Sequence, residues 1–187
     1  MLRHSVIALG LVLVAGCGNS RTPVPSGSAP AAPQGMHTLR YVAAGVAFQA
    51  PRNWSAAQQQ PPLVAIVSSG AAVVAVWRFP RTRAAPAGGA ALAGARARLL
   101  ASVRAREESL ELIRSKLVRV EGAPGIELDA IEQIHGQSRR VRSTHVFVKG
   151  GELVLDEYAP VSVFHAVDHA VFSPLKRSLA LFSPAAA

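Results

Sequence analysis

Ser143 to Pro160 reads STHVFVKGGELVLDEYAP, two apolar-rich runs joined by Gly150-Gly151. A pair of glycines between two such runs marks a tight β-hairpin, because glycine supplies the positive φ that short hairpin turns demand. The spacing predicts a strand over Arg140 to Val148 and another over Glu152 to Tyr158. Along the second strand side chains alternate between faces, so Asp156 and Glu157 point opposite ways and offer no paired-carboxylate chemistry. Tyr158 falls at the strand's end, where its ring suits the core edge and its hydroxyl can reach water or backbone.

Working outward, Ile126 to Ile134 forms a further strand turning at Gly136, which makes three successive antiparallel strands. Leu117 to Val120 is extended and runs into the turn Gly122-Ala123-Pro124-Gly125. Towards the N-terminus, Val46-Ala47-Phe48 before Pro51 reads as a first strand with Trp54 just beyond. Val64–Val67, Ser68-Ser69-Gly70 and Ala71–Phe79 read as a hairpin that carries Trp77. Both tryptophans suit structural roles, Trp54 as a plug at one end of the core. From Ala90 to about Arg114, Leu92, Leu99, Leu100, Val103, Leu110 and Ile113 recur with a helical period. After Pro160, Val163, Phe164, Val167, Val171, Phe172 and Leu175 repeat it, with Pro174 kinking that helix or starting a second. Hairpin-linked strands plus two helices argue for an α+β domain with an antiparallel sheet of about six strands, not for βαβ winding.

The chain has 187 residues and one cysteine, Cys17, so no internal disulfide is available. Arg3 and His4 precede an apolar run from Ser5 to Val14, too short to cross a bilayer but of signal-peptide length. Val14-Ala15-Gly16-Cys17 resembles the bacterial lipoprotein signal. That resemblance implies a signal peptide over 1–16, acyl chains such as palmitate on Cys17, and a lipid-anchored protein on the extracytoplasmic face of a cell membrane. Residues 17–37, rich in Pro, Ser, Gly and Ala with little to bury, read as a disordered tether. A folded domain is expected over 38–183, beginning near Leu39, and a short tail over 184–187.

Charge is unevenly spread. All eleven acidic residues lie at Glu107 or later, and eleven of the twenty basic ones lie at or before Arg106. The first 106 residues therefore carry +11, against nine basic and eleven acidic residues in the remainder. Arg81, Arg83, Arg96, Arg98, Arg104 and Arg106 are candidates for contact with an anionic surface, lipid or wall polymer. A solvated helix flank, with Arg96 and Arg106 snorkelling along the core edge, is the plainer account of the same residues. Nothing interleaves aromatics with basic residues as nucleic-acid binding would require.

The order of elements resembles PsbP-like domains over about Leu39 to Phe182. GVAFQAPRNW (Gly45–Trp54) is similar to their opening strand, Pro and Trp. The central helix, VEGAPGIEL (Val120–Leu128), the 143–160 hairpin and the closing FHAVDHAVFSPLKRSL (Phe164–Leu179) follow in the same order. The resemblance implies helices on both faces of the sheet. It also implies a binding or assembly role, as in photosystem accessory proteins, a nuclear-transport GTPase regulator and actinobacterial-type envelope lipoproteins. Those relatives share no catalytic residue set, so none transfers to this chain.

Candidate chemistry is sparse. His165, Asp168 and His169 would share one helix face and could grip a divalent metal, yet zinc sites usually need three or four ligands and the other histidines have no such placement. There is no G-x-S-x-G elbow, no S-x-x-K and no phosphate-binding glycine loop, since GGAALAG lacks the lysine and the spacing. The sequence therefore leads us to expect a membrane-anchored, non-catalytic module without a cofactor. It would serve an envelope protein partner, with binding of an anionic surface as the alternative and a surface hydrolase as the remotest reading.

Overall fold

The computed structural model describes residues 23–86 and 88–184. Its main sheet has seven antiparallel strands in the order β3-β4-β5-β9-β8-β7-β6. These are β3 (Ser55–Gln58), β4 (Leu63–Ser69), β5 (Ala72–Pro80), β6 (Glu111–Val120), β7 (Ala123–Ile134), β8 (Gln137–Val148) and β9 (Gly151–Pro160). A smaller sheet joins β1 (Met36–Tyr41), β2 (Val46–Pro51) and β10 (Ala180–Leu181). The α+β class and the antiparallel sheet are as read from the sequence, with one strand more than the expected six in the main sheet.

The 143–160 hairpin forms the sheet's centre. Gly150 has φ +71, and Val148 pairs Gly151 while Val141 pairs Tyr158. Because β8 lies between β7 and β9, its alternate residues face opposite layers. Val146 faces one core with Leu153, Leu155, Val74 and Val76; there Phe48 of the small sheet and Phe164, Val171, Phe172 and Leu175 pack, all fully or nearly fully buried. Each such large side chain contributes about 1.5–3 kcal/mol by leaving water. Phe147 faces the other layer with Ile126 and Leu128, covered by Leu92, Leu99, Leu100 and Val103 of α1 (Gly89–Arg106). Helices thus cover both faces.

The closing helix is α2 (Val161–Val167), a π-helical turn (Asp168–Phe172) and α3 (Ser173–Arg177), which run on without a break. Pro174 follows directly on the π-helical turn, where Ser173 N–H bonds Asp168 O, and this wider turn accommodates the donor that proline lacks. Sequence periodicity overran α1: Glu107 N–H bonds Val103 O and ends the helix, and Ile113 belongs to β6.

The expected tether also needs correction. Signal segment, Cys17 and residues up to 22 lie outside the described residues, but from Pro23 on the chain is bonded to the domain. Tyr158 Oη donates to Pro23 O (2.5 Å), Ser26 N–H to Gly70 O (3.2 Å) and Ala71 N–H to Ser28 O (2.7 Å). Trp54 Nε1–H then donates to Ala31 O (3.1 Å), and Asn53 bridges Ala32 O and Gln34 N–H. Met36 and His37 already belong to β1. This Pro-rich segment has no backbone ladder of its own, and the domain's turn and side chains take up its free backbone groups. Gly70 permits the approach: a Cβ there would lie 2.4 Å from Ser28 O.

Candidate functional site

On the α1 face, register brings together polar residues that lie apart in sequence. Ser143 pairs Asp156 and His145 pairs Val154, with Glu152 opposite Phe147. A chain of contacts follows. Arg81 Nη1 donates to Glu152 Oε2 at 2.7 Å, and Glu152 Oε1 meets His145 Nδ1 at 2.6 Å. His145 Nε2 lies 3.2 Å from Ser143 Oγ, whose hydrogen goes to Asp156 Oδ1 at 2.6 Å. Burial acts to raise the Glu152 pKa, but His145 and Arg81 outweigh it and hold this carboxylate below its usual range. Burial pushes Asp156 up against the pull of Ser143 and His145. Glu132, on the same face, is pushed up to about 7 by burial together with Asp156 and Glu107, with Arg106 opposing.

Ser143, His145 and Glu152 have the order of a nucleophile, a base and an orienting acid. Two features separate the group from the acyl-transfer arrangement. The Ser143 hydroxyl hydrogen is engaged by Asp156, and β8 is paired on both sides, so the backbone around Ser143 has no N–H to offer an oxyanion. What the chain does is orient Arg81, whose guanidinium is further held over the Phe147 ring at 5.1 Å.

Arg81 lines a shallow cavity of ≈ 510 Å³ between the loop after β5 and the first half of α1. Arg83 and Arg98 line it too, over a floor that includes Ala90, Gly94 and Ala95. Arg81 is compensated by Glu152, whereas Arg83 and Arg98 have no acidic partner among the described residues. The structure therefore gathers three of the six candidate arginines at one concavity. Arg96 is half-buried further along α1, and Arg104 and Arg106 are exposed in its last turn. The chain Ser143–His145–Glu152 was missed because it appears only once strands are paired, although Ser143 and His145 at i and i+2 already marked one face of a strand.

The metal candidates are not drawn into a site. Asp168 is committed to Arg142 Nη2 (2.6 Å) and Ser173 Oγ (2.7 Å), and His165 and His169 are exposed. No group of three or more His, Cys, Asp or Glu able to hold a metal occurs among the described residues. Asp168 belongs instead to an ion-pair layer beneath the closing helix. Arg142 Nε donates to Glu157 Oε2 (2.6 Å), Arg140 grips Asp129 through two bonds (2.8 and 2.7 Å), and Lys176 and Lys116 share Glu127. Burial pushes Glu157 up to about 7 against Arg142, and its Oε1 has no partner. For Asp168, burial is outweighed by Arg142 and Ser173, which hold it below its usual range.

No protein-family pattern and no curated protein sequence matches the chain. Solved structures do. The cyanobacterial PsbP protein of Synechocystis superposes with a TM-score of 0.61 at 12% identity, covering 87% of this chain and 99% of that one. The fold is PsbP-like. LpqN of Mycobacterium tuberculosis matches with a TM-score of 0.51 at 11% identity (87% and 90% covered), and a Mog1 protein with 0.54 at 10% (80% and 97%).

Proposed function

We propose that the protein is a lipid-anchored, extracytoplasmic, non-catalytic binding module that holds an envelope protein partner at the membrane. The observation that carries this reading is the docked N-terminal strap. Only five residues separate Cys17 from Pro23, and from Pro23 onward the chain is part of the domain, so an acylated Cys17 would be coupled to a folded platform and not to a floppy leash. Two further points support it. The PsbP-like fold is shared with LpqN, described as involved in cell envelope biogenesis. The Ser143–His145–Glu152 grouping has its hydroxyl spent on Asp156 and serves to position Arg81.

Crosslinking in intact cells followed by mass spectrometry tests the partner, and Cys17→Ser tests the anchor. The wild-type chain should stay with membranes after a high-salt wash and give a defined crosslinked envelope protein. The Cys17→Ser chain should appear in the soluble fraction and lose that crosslink. Retention of Cys17→Ser on washed membranes would overturn the anchor, and crosslinks to abundant proteins alone would overturn the adapter role.

A further inference from the structure

The α1 face of the domain and the exit point of the anchor lie on the same side of the sheet. Tyr158, which holds Pro23, shares its face with Val141 and Val73, and by the two-residue alternation of β8 also with Phe147, which packs under α1. From Cys17 to Pro23 the backbone spans at most about 20 Å when fully extended. An acylated Cys17 would therefore keep Pro23, and the Tyr158 end of this face, within about that distance of the bilayer.

That side also carries a run of uncompensated positive charge. From Arg81 to Arg106 there are six arginines and no acidic residue. Arg83, Arg98, Arg104 and Arg106 are exposed and have no ion-pair partner among the described residues. Two large apolar side chains flank α1 on the same face: Phe79, opposite Glu152, and Leu117, opposite Ile126, each 39% exposed. Exposed apolar residues interspersed with arginines suit the boundary between headgroups and acyl chains. The acidic pair Glu107-Glu108 just past α1 bounds the patch at one end.

We propose that α1 and the loop before it dock on anionic headgroups of the bilayer that carries the protein's own anchor. Arg83 and Arg98 receive a headgroup phosphate in the cavity, and the small sheet and closing helix are left facing away for a protein partner. Guanidinium forks match phosphate oxygens, and Arg81, fixed by Glu152, keeps the cavity wall in place. Acylation supplies one signal and the basic face a second. This rests on the anchor proposed above.

The test uses the full acylated chain in phosphatidylcholine vesicles, with or without 30 mol% phosphatidylglycerol (a composition of about this order gives a clear negative surface potential). A fluorophore is attached at Ala101→Cys on α1 or at Ser162→Cys on the closing helix, and nitroxide headgroup lipid is the quencher. Quenching should be strong from Ala101→Cys with phosphatidylglycerol, weak from Ser162→Cys, and lost at about 0.5 M salt, where screening shortens to a few Å. Arg98→Gln/Arg104→Gln should lower the docked-to-undocked ratio about 25-fold, at about fivefold per arginine near an anionic surface. Equal quenching at both positions, or quenching indifferent to phosphatidylglycerol and to the arginines, overturns the docking. Flotation with neutral vesicles in high salt reads the anchor separately: a chain that floats but does not quench defeats the docking alone, and one that does not float defeats the anchor and the arrangement built on it.

Discussion

Replacing Arg142 with Met removes the one cation that reaches both Glu157 and Asp168. The Arg142 side chain is 9% exposed and that of Glu157 fully buried, with 2.6 Å contacts to both carboxylates. Breaking a buried pair by deleting one partner costs about 3–5 kcal/mol, since the remaining charge is left uncompensated. The pH dependence identifies which charge matters. Glu157 titrates at about 7 in the folded state, above its ordinary value of 4.5, so its protonated form stabilises the fold; that contribution is full below 4.5 and lost as pH rises to about 7. Without Arg142 only Lys176, which makes no direct contact with Glu157, still opposes burial; the folded pKa moves above 7 and the loss continues at higher pH. The gap between wild type and Arg142→Met should therefore be about 1–2 kcal/mol wider at pH 8 than at pH 6, at about 1.4 kcal/mol per unit. Urea titrations followed by Trp54 and Trp77 fluorescence at the two pH values measure it. Arg142→Met/Glu157→Met should recover most of the loss at pH 8, because paired replacement removes the orphan charge. A gap of the same size at both pH values, or a total loss under about 1 kcal/mol, would refute an uncompensated Glu157 as the cause.

Glu132→Gln should behave in the opposite sense. Wild-type Glu132 titrates at about 7 in the folded state, so it too loses stability between pH 4.5 and 7; the Gln variant should be flatter across that range and about 2 kcal/mol more stable at pH 8, a figure discounted for the side chain's partial exposure. Thermal melts across pH 4–8 would show it. Tyr158→Phe deletes the donor to Pro23 O and should cost about 1 kcal/mol, with faster amide exchange or proteolysis confined to residues 23–31. Unchanged protection of that segment would mean that the Gly70 and Trp54 contacts hold it unaided.

The hairpin at 143–160 was legible because its signals are local: two glycines between apolar runs fix a turn, and alternation fixes the faces. The closing helix was legible for the same reason, its apolar residues all falling on one stripe. Three features were not. Strand β1, MHTLRY, is half-exposed and alternates only weakly, and it is a strand because β2 pairs with it from Met36↔Pro51 to Tyr41↔Val46. Leu110 and Ile113 continue the α1 period by coincidence, whereas the helix stops because the chain must turn back into β6 along β7. The Arg81–Glu152–His145–Ser143 chain joins two strands and the loop after β5, so it exists only once β5, β9 and β8 are in register. Among the arginines, composition could mark six, and only packing could separate the one that is held, Arg81, from the ones that are left unpaired.

The two faces of the sheet handle charge in opposite ways, and this bears on where binding should be sought. Beneath the closing helix nearly every ionic group is spent internally: Glu127 on two lysines, Asp129 on Arg140, Arg142 on Glu157 and Asp168. Such an arrangement fixes the helix in register and has little charge left for a ligand. Beneath and beside α1, the acids are half-buried on the sheet face, while Arg98 and Arg104 on its outer surface and Arg83 in the adjoining loop have no ion-pair partner among the described residues. Desolvating an unpaired guanidinium is costly unless an anion meets it, so these side chains stay in water until one does. The anchor proposed at Cys17 would bring an anionic surface to them at high effective concentration, so that even modest contact from each arginine would be enough to set the domain's orientation.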